Sequence, residues 1–341
     1  MSPNTTAFPS TRLHTLKTHS GPVNTVIFSS SPGTYLLTGS SDRDIHLSRA
    51  IPVSSSGASF HGAPPTTTIP IQKYQAHGYS VLDLAVTTDN ARFVSVGGDR
   101  QVFLWDVETG TTVRRWTGHG GRIETVEFGG EADSVVVSGG SDTTVKIWDT
   151  RSLTPKPMQS LDEATDTVSS VHVHNGTSTI ISGSYDGRIR SYDIRMGMLR
   201  VDVMGHPVTS VRCSEDGNVI LASCLDGRIR LVDREDGSVL KAFGGDTATT
   251  SSEKGTAPKY KNEALRIRSS FGKGDSVVFS GGETDKDDLE AAVFAWDVVS
   301  GEVIRTVRAG AGVKVVSCVA WNEKGGCWAG GCSDGTVQVF G

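Results

Sequence analysis

The chain has 341 residues, a formal net charge of −5 and a pI near 6.0. That length exceeds one ordinary compact core and suits two domains or one repeat array, and the mild acidity argues against nucleic acid as the main partner. The 40 glycines and 12 prolines, with short β-branched runs between turn residues, read as an all-β chain.

In chain order, the opening MSPNTTAFPSTRL lacks the basic and apolar segments of a secretory signal. No run of about 18 apolar residues predicts a membrane span. RLHTLK (12–17) reads as a lone strand. VNTVIF (23–28) and LLTGSSDRDIHLS (36–48) then set a pattern: a strand, an apolar pair, small residues, a turn Asp and another strand. It returns in VLDLAV (81–86) with VSVGGDRQVFLWD (94–106), and in IETVEF (123–128) with VVSGGSDTTVKIWD (136–149). VSSVHV (168–173) with IISGSYDGRIRSYD (180–193), and VTSVRC (208–213) with ILASCLDGRIRLVD (220–233), repeat it. VVSCVAW (315–321) with CWAGGCSDGTVQVF (327–340) is the last copy. SVVFSGGETDKDDLEAAVFAWD (276–297) matches at both ends but carries extra acidic turn residues at 283–290. A fourth strand follows most units: TTVRRW (111–116), MLRVDV (198–203), SVLKAF (238–243) and EVIRTV (302–307).

Asp106, Asp149, Asp193 and Asp233, which close the third strand of successive units, recur at spacings of 43, 44 and 40 residues. Four short strands per unit at that period predict a seven-bladed β-propeller, one domain over residues 1–341. IPVSSSGASFHGAPPTTT (51–68) and DTATTSSEKGTAP (246–258) are polar and rich in Ser, Thr, Pro or Gly. They predict flexible loop insertions outside the core. The last unit has three strands and RLHTLK is spare, so the N-terminal strand is expected to complete the seventh blade and cover its edge.

Some groups imitate chemistry. Blade two holds His77, Ser95, Asp99 and Trp105, and blade three holds His119, Ser138, Asp142 and Trp148. Ser, His and Asp together suggest a hydrolase, but two copies in register argue for architecture. The set decays elsewhere: blade one has Ser48 for Trp, blade four lacks the His, and blade five keeps His206 and Asp226 with Ala222 and Val232. Blades two and three should therefore be the most rigid. DGRIR occurs at 186–190 and at 226–230. Its Asp and Gly make a turn, its Ile packs inward, and its arginines alternate outward with a period of two. Cys213, Cys224, Cys318, Cys327 and Cys332 form no C-x-x-C pair and no His/Cys zinc spacing. They read as reduced core thiols, with no metal and no cofactor.

With Gly-His ahead of their first strands and Trp-Asp closing their third, these units resemble the WD-repeat family over nearly the whole chain. The resemblance implies that His, Ser, Asp and Trp form a buried hydrogen-bonded tetrad. It also implies partner binding on the face carrying the Gly-His loops and turn aspartates. Tyr79, Arg100, Arg122, Tyr185, Arg188, Leu225 and Arg228 fall on that face, with Tyr185 and Leu225 read as exposed anchors among arginines. Residues 77–119, 161–173 and 183–199 are similar to the mitogen-activated protein kinase organizers, a branch of WD-repeat scaffolds also found with the pre-mRNA splicing machinery. That likeness implies a non-enzymatic adaptor, a monomeric propeller within larger complexes of nucleus and cytoplasm. Its partners would be splicing factors or kinase-cascade components. The long 51–68 insert departs from that pattern. The alternative is a substrate-receptor adaptor of a cullin-type ubiquitin ligase, because Trp148–Arg151 and Tyr192–Arg195 resemble the docking box of such propellers.

Overall fold

A computed structural model of the chain describes residues 8–52, 65–245, 259–284 and 290–341. Blade one is formed by β2 (Val23–Phe28), β3 (Tyr35–Ser40), β4 (Ile45–Arg49) and, beyond β5 (Thr66–Thr67), by β6 (Gln72–Tyr74). The first strands of blades two to seven are Val81–Val86, Ile123–Gly129, Val168–His174, Val208–Cys213, Ser269–Gly272 and Val316–Asn322. Each blade is a four-stranded antiparallel meander, and the seventh is completed by β1 (Arg12–Leu16). The fold is the all-β seven-bladed propeller expected.

The second and third strands are buried on both faces because each blade is packed between two others. Between blades two and three, Val94, Val96, Val102 and Leu104 meet Ile123, Val126 and Val136. The small residues before each turn Asp have a steric cause. A Cβ on Gly39 would lie 2.7 Å from Val81, and one on Gly139 2.6 Å from Val168, the valines that open the next blades. The turn itself needs a left-handed residue after the Asp. Gly187, Gly227 and Gly335 supply it, whereas Arg43, Arg100 and Thr143 are held there at φ 77°, 60° and 63°.

We call the end carrying these turns the upper end. At the lower end, the turns between first and second strands are tied blade to blade. The Ser30 N–H donates to Asn90 at 2.7 Å, Thr88 N–H to Asp133 at 2.6 Å and Gly130 N–H to Asn175 at 2.9 Å. Glu215 continues the series, its N–H donating to Asp275 at 2.6 Å, and Asn322 returns it to blade one through the Gly33 carbonyl at 3.1 Å.

Closure is stronger than a single strand pairing. β1 runs antiparallel to Val337–Phe340, and ahead of it Phe8 is buried against Phe279, Trp321 and Trp328. Trp328 Nε1 donates to the Pro9 carbonyl at 2.8 Å. The 51–68 insert is not wholly a loop. Residues 53–64 lie outside the described residues, but Thr66 and Thr67 form β5, which pairs in parallel with the outer edge of β1. The physical reason is the bare edge that β1 would otherwise present. Buried His14 fastens both ends of the insert, meeting the Ala50 carbonyl at 3.0 Å and the Thr67 hydroxyl at 2.8 Å. Residues 246–258 and 285–289 lie outside the described residues.

Candidate functional site

The hydrolase-like groups come together as closed sets. In blade two, His77 Nδ1 donates to Asp99, the Ser95 hydroxyl donates to His77 Nε2 at 2.7 Å, and Trp105 Nε1 donates to Ser95 at 2.8 Å. Blade three repeats the geometry with His119–Asp142 at 2.9 Å, His119–Ser138 at 2.8 Å and Trp148–Ser138 at 2.8 Å. Burial opposes ionisation of Asp99, but its bonds from His77 and the Gly78 N–H hold the carboxyl below the usual range. Asp142 is lowered in the same way through His119 and Gly120. Ser95 and Ser138 are fully buried, so neither hydroxyl can meet a substrate. Blade one keeps His19 on Asp42 and Thr38, and a second buried imidazole, His46, stacks on His19 at 4.0 Å.

Blades four and five solve the same problem differently, and here the sequence expectation is corrected. The second arginine of each DGRIR does not point to solvent. Arg190 is only 1% exposed and its guanidinium grips Asp186 at 2.7 Å while also donating to the Glu163 carbonyl. Arg230 grips Asp226 likewise, with Nη1 at 3.1 Å. The period of two assigns these arginines to the face opposite the Ile, but both faces of a propeller strand are packed. The carboxyl of Asp186, disfavoured by burial, is held ionised below the usual range by Arg190 and the Thr165 N–H. His206, displaced by Arg230, lies 3.9 Å from Asp226 with half its side chain exposed.

The central channel holds a charged network that sequence reasoning missed. Arg266 and Arg268, flanking Ile267 at the start of blade six, reach across the axis. Arg268 pairs with Asp83 of blade two at 2.6 Å and donates to the Leu82 carbonyl at 3.0 Å. Arg266 donates to Glu124 of blade three at 3.1 Å and to the Ser169 carbonyl of blade four at 3.2 Å. Lower in the channel, Glu127 receives His172 at 3.0 Å and Arg212 at 3.2 Å. Burial disfavours the Asp83 carboxylate, yet the two arginines hold it below its usual range. Arg266 is lowered by burial and by its like-charged neighbour Arg268. One signal was available: Asp83 interrupts an otherwise apolar first strand, and a buried carboxylate requires a cationic partner.

Of the rim residues singled out, Arg100, Arg188 and Arg228 are exposed at the upper end, and Tyr79 is 65% exposed. Tyr185 and Leu225 are half-buried, which corrects their reading as exposed anchors. Tyr185 turns toward the channel, where burial raises its phenol and Arg266, Glu124 and Arg122 surround it. Arg122 itself pairs with Glu124. The seven residues thus divide into an outer rim of Tyr79, Arg100, Arg188 and Arg228, the half-buried Leu225, and a channel mouth of Arg122 and Tyr185. All five cysteines are buried and unpaired, and burial pushes Cys213 and Cys224 up to about 11, which keeps them as thiols. Among the described residues no cluster of His, Cys, Asp and Glu could hold a metal ion, and no helix is long and apolar enough to cross a membrane.

Seven meander blades, two of them pinned by His–Ser–Trp–Asp tetrads and the ring closed by the N-terminal strand, define a WD-repeat β-propeller. The description "WD domain, G-beta repeat" matches residues 10–47 and 301–340, and "Nucleolar protein 10-like, N-terminal domain" matches 79–257. The chain is 30% identical over 316 residues to WD repeat domain-containing protein 83 homolog of Dictyostelium discoideum, covering 85% of this chain and 86% of that protein. It is 36% identical over 311 residues to WD repeat domain-containing protein 83 of Homo sapiens, covering 91% and 86%. Autophagy-related protein 16 of Arabidopsis thaliana is 26% identical over 337 residues, 97% of this chain but 58% of that protein. The chain belongs to the WD-repeat family and is a homologue of WD repeat domain-containing protein 83.

Proposed function

We propose that the chain is a non-enzymatic protein-interaction scaffold of nucleus and cytoplasm. It serves splicing complexes, mitogen-activated kinase cascades or both, and binds acidic segments of their components through its upper rim. The supporting observation is the placement of arginines there. Arg43 and Arg100 occupy left-handed turn positions that blades four, five and seven fill with glycine. A side chain at such a position costs about 1 kcal/mol. With Arg188 and Arg228 they place four exposed arginines on the rim beside Tyr79, an arrangement that attracts acidic partners.

A native pull-down read by mass spectrometry, run in parallel on the wild type and on Arg100→Glu/Arg188→Glu/Arg228→Glu, tests this. Splicing or kinase-cascade proteins are expected with the wild type and lost from the variant at unchanged melting temperature. Equal recovery by both moves the interface off the rim. Cullin-ligase subunits in place of either class favour the ligase-adaptor alternative.

A further inference from the structure

The lower end of the ring carries grooves between neighbouring blades, and the one between blades five and six stands apart. Its volume is about 650 Å³, against 440 Å³ for the groove between blades one and two and 200 Å³ for that between blades three and four. Leu231, Leu240 and Phe271 form its apolar floor and Val299 its outer wall. Leu240 is 53% exposed and Val299 83%.

Val299 breaks the chain's own pattern. It lies two residues past the Asp that ends the third strand, where blades two to five carry Glu108, Arg151, Arg195 and Glu235. Four charged residues and one bare valine at equivalent positions single out this blade. The turn that presents Val299 is also held in place, because Lys241 of blade five donates to the Val299 carbonyl. That contact directs the lining cation at the backbone and leaves the rim acidic. Glu215, Asp216 and Asp275 form that rim. Asp275 accepts the Glu215 N–H, and Asp216 is engaged by Ser214 and Asn218. The Glu215 carboxylate, which is exposed, accepts no hydrogen bond among the described residues.

We infer that this groove docks a partner segment in which a bulky aliphatic or aromatic side chain is flanked by Lys or Arg. The apolar floor takes the anchor, and the acidic rim selects the flanking charge and repels acidic segments. The groove opens at the end opposite the arginine rim and does not depend on how the rim is used. One chain can then hold two partners of opposite charge at once.

Panning a phage-displayed random peptide library on the immobilised full chain tests the inference, followed by titration of the enriched peptides against wild type, Val299→Glu and Glu215→Lys. The enriched family is expected to place Leu, Ile, Phe or Trp within a few residues of Lys or Arg. It should bind more weakly as salt rises, and lose about 10-fold or more in affinity with Val299→Glu. Both substitutions are at exposed positions, and melting temperatures within a degree or two of wild type certify the fold. The proposal fails if no peptide is enriched, if the enriched peptides are acidic, or if both variants bind them as the wild type does.

Discussion

Blades two and three hold their upper turns with an imidazole from the incoming loop, whereas blades four and five use an arginine from their own third strand. In the first arrangement His77 or His119 connects the loop before the blade to the turn Asp and, through Ser and Trp, to the third strand. In the second the bond is local, from Arg190 to Asp186 or Arg230 to Asp226, four residues apart. Across blades one to five the turn aspartate is kept while its cationic or N–H partner is interchangeable. The His form binds the preceding loop through its side chain, while blade five leaves His206 half out of the pocket.

The yardstick is ring closure, which neither arrangement supplies. Deleting residues 1–18 removes β1 and the buried Phe8, and should lower Tm by about 10 °C or more in a thermal melt. Next is Arg190→Leu, which strands Asp186 as a buried unpaired carboxylate and should cost about 3–5 kcal/mol in urea unfolding. His119→Ala removes a hydrogen-bonding imidazole rather than a guanidinium and should cost less, about 1–3 kcal/mol. His206→Ala should stay within about 0.5 kcal/mol. Equal losses at His119 and His206 would erase the distinction between the two kinds of blade.

Acid exposes what they share. Asp99, Asp142, Asp186 and Asp226 are all depressed in the folded chain. Their stabilisation is therefore complete above the unfolded carboxylate value of about 4 and is lost as pH falls through the lower folded values. Asp142→Asn should flatten the decline of unfolding free energy between about pH 5 and pH 2, read from urea titrations at each pH. The smallest effect is Arg100→Gly. It relaxes the left-handed turn of blade two and should stabilise by less than about 1 kcal/mol while weakening capture of rim partners.

Much of this was legible in the sequence because the turn aspartates and Trp-Asp ends recur at one period, and a period is a property of the chain itself. The spare strand RLHTLK was legible for the same reason, by counting strands. What escaped was set by neighbours in space. Alternation along Arg188–Asp193 gives the correct side for Arg190 but cannot say that another blade covers that side. Ser269–Gly272, the first strand of blade six, is short and half polar, so no strand pattern in the sequence marks Arg266 and Arg268 beside it. Thr66 and Thr67 have no strand signature, and only the bare edge of β1 makes them one. Tyr185 reads as a rim aromatic, but in the fold it is half-buried near the channel charges of Arg122 and Arg266.

The ties along the lower end bear on where this chain can take on new sequence. Every first-to-second-strand turn that donates or accepts one of those bonds is coupled to a neighbour, so lengthening it would disconnect two junctions of the ring. The chain's three long additions avoid those turns. They fall between the third and fourth strands of blade one (51–68), between blades five and six (246–258) and between the second and third strands of blade six (283–290). A tag, a reporter or a second domain grafted at 53–64, 246–258 or 285–289 should leave the propeller intact, whereas the same graft between Val86 and Arg92 should not.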